Sequence, residues 1–236
     1  MPKDTAHPAT KRPGAAAEPP WVLLTGFEPF GEDRRNPSAE VALALHGQQV
    51  RGHMLRSACL PVSFEGALPA LDQLLRTRHP PALVLCTGLA ASRSVLSFER
   101  VAVNVMDARI ADNRGHQPLD QPVCPTGPAA YLCDLPVKAM AQAARQQGVE
   151  AEVSLSAGSY VCNQVFYGLL WRIHRRPRLR GLRGGFVHLP WPADLAPPGA
   201  RSASATLADI TRALRAAIDC ALGTRQDIAV AAGKED

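Results

Sequence analysis

Cys162, His188 and Glu99 are candidates, by residue type and surroundings, for covalent chemistry. Cys162 lies in Ser159-Tyr160-Val161-Cys162-Asn163-Gln164-Val165-Phe166. An alternating run, 151–157, precedes it and ends at Gly158, and Val165, Phe166, Leu169, Leu170 and Ile173 follow at helical spacing. The pattern predicts a strand that turns into a helix, with Cys162 at or near the helix's first turn. The unpaired N–H groups and positive pole of a helix start favour a thiolate. That placement matters, because an ordinary cysteine is only about 3 % ionised at neutral pH. The same amides suit the oxyanion of a carbonyl under attack. The alternative is a small core residue where strand meets helix.

A cysteine nucleophile needs a base, and the base needs an orienting group. His7 lies in the N-terminal stretch, and His46, His79 and His174 fall at predicted helix ends. His53 and His116 stay open. His188 ends the apolar run Gly185-Phe186-Val187-His188-Leu189, and a satisfied core histidine is the alternative there. Glu99, in Phe98-Glu99-Arg100-Val101, is an acid that could fix the imidazole, or form an ordinary ion pair with an arginine. Residue types alone leave the trio as one arrangement among several.

The elements that would position these residues read as alternating strands and helices. Trp21–Gly26 and Ala82–Gly88 are apolar runs closed by glycine, as expected of buried parallel strands. Asn36-Pro37-Ser38 reads as a helix start with Asn36 as cap. Strands are predicted over 50–60 and 99–105, and helices over 63–78, 136–147 and from Leu207 through Ile218. Residues 106–128 read as a long irregular segment of the functional or binding kind. The alternation implies a single-domain α/β/α sandwich with a mostly parallel twisted central sheet. Ligands sit beyond the carboxyl ends of such strands. That rule gathers the loops after Gly26, Gly88, Gly158 and Val187, where Cys162 and His188 could meet. Residues 1–20 read as a disordered tail, 21–223 as the folded domain and 224–236 as a frayed tail.

Bulk composition narrows the function classes. With 46 % hydrophobic and 20 % charged residues, the chain of 236 residues suits an ordinary soluble domain. No apolar run approaches the ~20 residues of a membrane span, and the N-terminal stretch has no signal-peptide core. A cytoplasmic location is expected. The six cysteines show no metal-type spacing and no C-x-x-C, so neither a zinc site nor a disulfide framework is expected. The net charge is +5, with Arg172, Arg175, Arg176, Arg178, Arg180 and Arg183 clustered in a segment without acids. They suit the negative pole of a helix end, with an RNA-binding surface as the competing reading.

Three segments together resemble the pyroglutamyl peptidase I family of cysteine peptidases. They are Thr25-Gly26-Phe27-Glu28-Pro29-Phe30-Gly31 with Asn36-Pro37-Ser38, Glu99-Arg100-Val101-Ala102-Val103-Asn104, and Gly158-Ser159-Tyr160-Val161-Cys162-Asn163. Asp107–Ile110, Gly127–Tyr131 and Gly184–His188 add to them, in order, from about Val22 to the C-terminal helix. The resemblance implies an α/β/α domain, commonly a homotetramer, without metal or organic cofactor. It also implies removal of an N-terminal pyroglutamyl residue from peptides through an acyl-enzyme. Cys162 matches the nucleophile, His188 the base and Glu99 the acidic third member. Phe27 and Phe30 match aromatics around the pyroglutamyl ring, Asn36 and Arg109 match polar residues near substrate, and Ile110, Tyr160 and Val161 match pocket walls. The chain departs from the family at Leu89, where glutamine is frequent and only the backbone carbonyl remains as an acceptor. Ala91 and Ser92 stand where glycines are common, and Val62 where threonine is frequent. A homologue that binds without cleaving is a further alternative.

Overall fold

The computed structural model describes residues 19–233, so most of the tail expected over 1–20 lies outside the described residues. The chain runs β1 (Trp21–Phe27), α1 (Pro37–Leu45), β2 (Gln49–Val50), β3 (His53–Leu60), α2 (Ala67–Leu75), β4 (Leu83–Leu89) and β5 (Leu96–Glu99). It continues with β6 (Val101–Val103), β7 (Ala130–Leu132), α3 (Val137–Arg145), β8 (Ala151–Ser154), α4 (Val161–Arg175), β9 (Arg183–Leu189) and α5 (Leu207–Gly223).

Seven strands form the main sheet in the order β2-β3-β1-β4-β9-β5-β8. β3, β1, β4 and β9 are mutually parallel, and β1, β4 and β9 are buried because helices cover both faces, while β3 stays partly exposed. One layer holds α2 and α4, and the other holds α1, α3 and α5. This is the expected α/β/α sandwich with a mostly parallel sheet. β1 tolerates no side chain at Gly26, where a Cβ would lie 2.4 Å from the backbone of Ser38 and Ala39 at the start of α1. Asn36 caps α1 as expected, its side chain accepting from Ser38 N, with Pro37 in the first turn.

Several boundaries differ from the sequence reading. The strand expected over 50–60 is split by a turn at Arg51 and Gly52, both at positive φ (47° and 75°). The helix expected over 63–78 is shorter, because Ser63 turns the chain by accepting from Gly66 N through Oγ at 3.2 Å. The strand expected over 99–105 breaks at Arg100. Arg100 N donates to Ser154 O at 2.7 Å and its carbonyl accepts from Cys133 N at 2.8 Å, so Glu99 ends β5 and β6 pairs with β7 outside the main sheet. β5 runs antiparallel to β9 and parallel to β8. The carboxyl-end rule therefore holds for β1, β4 and β9 but not for β8. Cys162 reaches the site by the segment 155–160, not from the end of a parallel strand. After α5 the chain is irregular, yet Asp227 ties it to α3 at Lys138 N (3.1 Å) and Ala139 N (2.9 Å), so this part of 224–236 is anchored.

Candidate active site

β4 and β9 pair in register with Gly88 opposite His188, at the carboxyl end of both strands. Cys162, in the first turn of α4, comes down on the same spot. A Cβ on Gly88 would lie 2.8 Å from Cys162 Sγ and 3.0 Å from Phe186 Cζ. Gly88 thus clears the space in which the thiol sits beside the His188 strand. No feature of its apolar run signals that role.

His188 is 5 % exposed and Glu99 is completely buried. Glu99 Oε1 accepts from His188 Nδ1 at 2.7 Å and from Arg93 Nη1 at 2.7 Å, which fixes the imidazole proton on Nδ1 and leaves Nε2 as acceptor. Glu99 Oε2 has no hydrogen-bond partner among the described residues. Arg93 Nη2 also donates to Ser156 O at 2.8 Å. The structure thus brings Cys162, His188 and Glu99 together, and adds Arg93, which residue types alone did not single out.

The start of α4 is held by groups on three neighbours. Buried Asn163 accepts from Val103 N (3.0 Å) and donates to Val103 O (2.9 Å) and Val105 O (3.0 Å), fastening the first turn to β6. Ser159 Oγ donates to Asp107 O at 2.6 Å, and Tyr160 OH to Ala111 O at 2.9 Å. The long segment 106–128 is thereby a clamp on the nucleophile's loop. Tyr160 caps α4 without a side-chain hydrogen bond, so the first-turn N–H groups near Cys162 lack a capping acceptor.

Cys162 keeps partial exposure, but burial around the thiol pushes its pKa up to about 12. The Glu99 charge adds to the rise, and Arg93 opposes it. A thiol whose pKa is raised by burial needs a base to take its proton when it attacks.

Next to Cys162 lies a mostly apolar cavity of about 190 Å³. Phe27, Phe30, Asn36, Leu89, Ile110, Tyr160 and Val161 line it, with Val62, Ala91 and the charged Asp33 and Arg35. Its aromatic wall is locked edge-on, Phe30 to Tyr160 at 5.8 Å and Phe64 to Tyr160 at 5.1 Å between ring centres. Burial pushes the Tyr160 phenol up to about 12, so it stays neutral. Arg109 is exposed and does not line this cavity. Within the arginine cluster, Arg172 and Arg176 bind Asp72, Arg178 bonds Leu75 O, and Arg183 bonds Thr224 O and Ala221 O. Those four act within the fold. All six cysteines are free thiols. Among the described residues, no group of His, Cys, Asp and Glu is arranged to hold a metal, and no helix is long and apolar enough to cross a membrane.

Comparison with known proteins shows the family. A family model described as pyroglutamyl peptidase matches residues 21–224. A pyrrolidone-carboxylate peptidase of Cupriavidus taiwanensis is 46 % identical over 209 residues, covering 89 % of this chain and 96 % of its own. One of Yersinia pestis is 45 % identical over 214 residues, covering 90 % and 97 %. The crystal structure of pyroglutamyl peptidase I from Bacillus amyloliquefaciens superposes with a TM-score of 0.83 at 37 % identity, over 89 % of this chain and all of that one. The pyrrolidone carboxyl peptidase of Thermococcus litoralis gives 0.84 at 34 % identity, over 90 % and 99 %. The chain belongs to the pyroglutamyl peptidase family of hydrolases.

Proposed function

We propose that the enzyme removes an N-terminal pyroglutamyl residue from peptides through a thioester on Cys162, with His188 as base and Glu99 as its orienting acid. The observation that carries this reading is the buried Glu99 carboxylate on His188 Nδ1, on the strand that Gly88 holds against Cys162. His188 Nε2 takes the thiol proton as Cys162 Sγ attacks the exocyclic carbonyl of the pyroglutamyl residue. Glu99 stabilises the imidazolium that results. The first-turn amides of α4 face the developing oxyanion. His188 then gives its proton to the departing amine, and a water deprotonated by His188 hydrolyses the thioester.

The flat, uncharged lactam suits the small apolar cavity, walled by Phe27, Phe30, Ile110, Tyr160 and Val161. Asn36 at the cavity is a polar group we assign to the substrate's surroundings, and Arg109, which does not line the cavity, is assigned there by the family resemblance alone. Leu89 supplies a lactam acceptor through its backbone carbonyl. By resemblance, the enzyme acts in the cytoplasm as a homotetramer without a cofactor, and neither nucleic acid nor membrane is its partner.

The test is hydrolysis of pyroglutamyl and prolyl chromogenic amides by wild type and variants. Cys162→Ala and His188→Asn should each retain less than about a hundredth of wild-type kcat, since members of a catalytic unit fail together. Glu99→Gln should retain more than either. The pyroglutamyl amide should be preferred by roughly 10⁴, because a site built for polar groups rejects an analogue lacking one. A Cys162→Ala enzyme that still turns over would sink the nucleophile assignment.

A further inference from the structure

Arg93 belongs to the turn that carries the chain from β4 over the end of β9 into β5. Ala90 N donates to Leu189 O at 2.8 Å, and Arg93 N to Ala90 O at 2.9 Å, so the turn is pinned to the strand that bears His188. Its guanidinium is mostly covered, with the side chain 24 % exposed, and it spans two separate parts of the site. One nitrogen binds the Glu99 oxygen that His188 also uses, and the other binds the Ser156 carbonyl, six residues before Cys162.

The Glu99 carboxylate is unusual in how its bonds are distributed. It is wholly buried, both donors reach the same oxygen, and Oε2 has none among the described residues. A buried carboxylate carries a large desolvation cost, which a neutral imidazole N–H alone does not offset. A cation at hydrogen-bond distance does, and Arg93 is the one the structure supplies. Without that cation, the His188 bond is the one contact among the described residues that sets which Glu99 oxygen faces the imidazole.

We propose that Arg93 is a positioning residue of the reaction, holding the Glu99 carboxylate aimed at His188. The proposal rests on the Cys162–His188–Glu99 reading above. It makes Arg93 act through Glu99, not through the substrate, so its loss should fall on kcat and leave KM nearly alone.

The experiment is a double-mutant cycle on the pyroglutamyl amide, with melting temperatures recorded for each variant. Arg93→Ala should lower kcat by about a hundredfold, the size of a lost general-base contribution, with KM within about threefold. Guanidinium ion added below unfolding concentrations should restore part of the activity. Placed on Glu99→Gln, Arg93→Ala should cost less than about threefold further, because the charge it serves is already gone. Arg93→Lys keeps a cation and is expected to fold. It should lose less than Arg93→Ala on the wild-type enzyme, and again little on Glu99→Gln, which carries the test should the alanine variant not fold. An Arg93 effect of equal size in both backgrounds, or one borne by KM, would overturn the proposal while leaving the triad intact. A Glu99→Gln enzyme as active as wild type would instead overturn the triad reading beneath it.

Discussion

A methyl group on Gly88 would sit 2.8 Å from Cys162 Sγ and 3.0 Å from Phe186 Cζ, closer than packed atoms tolerate. The sulfur is the end of a short side chain and can swing away, whereas the ring is buried in the core beside Phe27 and Phe166. Relief therefore comes at the nucleophile's expense. Gly88→Ala should fold with a melting temperature within a few degrees of wild type and lose about a hundredfold in kcat, since a displacement on the order of 1 Å costs that much. A Gly88→Ala enzyme with normal kcat would mean that the thiol has more room than its packing shows. At this scale the sequence was readable only where a residue type announces chemistry. Cys162, His188 and Glu99 are candidates by type and local pattern, the family resemblance singles them out as a trio, and the structure puts Glu99 on His188 with Cys162 beside Gly88. Gly88 closes an apolar strand as many glycines do, and Arg93 is one arginine in a charged chain. Their parts come from contacts across the sheet, which no local pattern encodes.

Helix starts show how elements are fixed in this molecule. α1 and α5 carry their own caps, Asn36 and the Thr206–Asp209 capping box, and both follow from local residue order. α3 does not. Its cap position is Pro136, without a side-chain bond, and the orphan N–H groups of Lys138 and Ala139 are met by Asp227 from beyond α5. Asp227 also pairs with Arg100 at 3.3 Å, next to the end of β5. Composition alone makes that stretch read as a frayed end, because a cap supplied across some 88 residues leaves no local trace. Asp227→Ala should cost ~1 kcal/mol, the loss of an N-cap, and lower the melting temperature by roughly 2–4 °C. Asp227→Asn keeps acceptors for the same N–H groups and should lose less. Thermal melts of both, with activity measured well below melting, check this. Equal stability of Asp227→Ala and wild type would show that the bonds are not formed in solution. The direction of β5 and β8 was equally hidden, since strand periodicity does not reveal strand sense.

Acid should act on the whole molecule through the α2–α4 face, the one that carries Cys162. Two carboxylates fasten it. Asp72 on α2 is partly buried, which would raise its pKa, but hydrogen bonds and charge from Arg172 and Arg176 of the α4 end bring it below the ordinary carboxylate range. Asp112 holds the 106–128 clamp. Burial again works upward on it, and bonds from the backbone N–H groups of His116, Phe64 and Arg114 more than reverse that. A carboxylate with a depressed folded pKa contributes stability that is present above its unfolded value, near 3.9, and lost as pH falls through the folded one. Asp209, drawn down to about 2 by Thr206 and Arg212, adds to the same trend from the opposite layer. Asp134 works the other way, because burial raises its pKa and its ionisation weighs on the fold as pH rises. The melting temperature should therefore fall steeply below about pH 4 in the wild type. Asp72→Asn and Asp112→Asn should each melt lower at neutral pH and show a flatter acid fall, since each has already lost one titrating contact. The two differ in their effect on function. Asp112 bonds Phe64 N, and Phe64 packs edge-on against the Tyr160 wall of the cavity, so Asp112→Asn should also raise KM, while Asp72→Asn leaves it unchanged. Melting curves of the three proteins from pH 2 to 7, with KM at neutral pH, decide it. Parallel curves would place the acid-labile contacts elsewhere, and an unchanged KM in Asp112→Asn would free the cavity wall from the clamp.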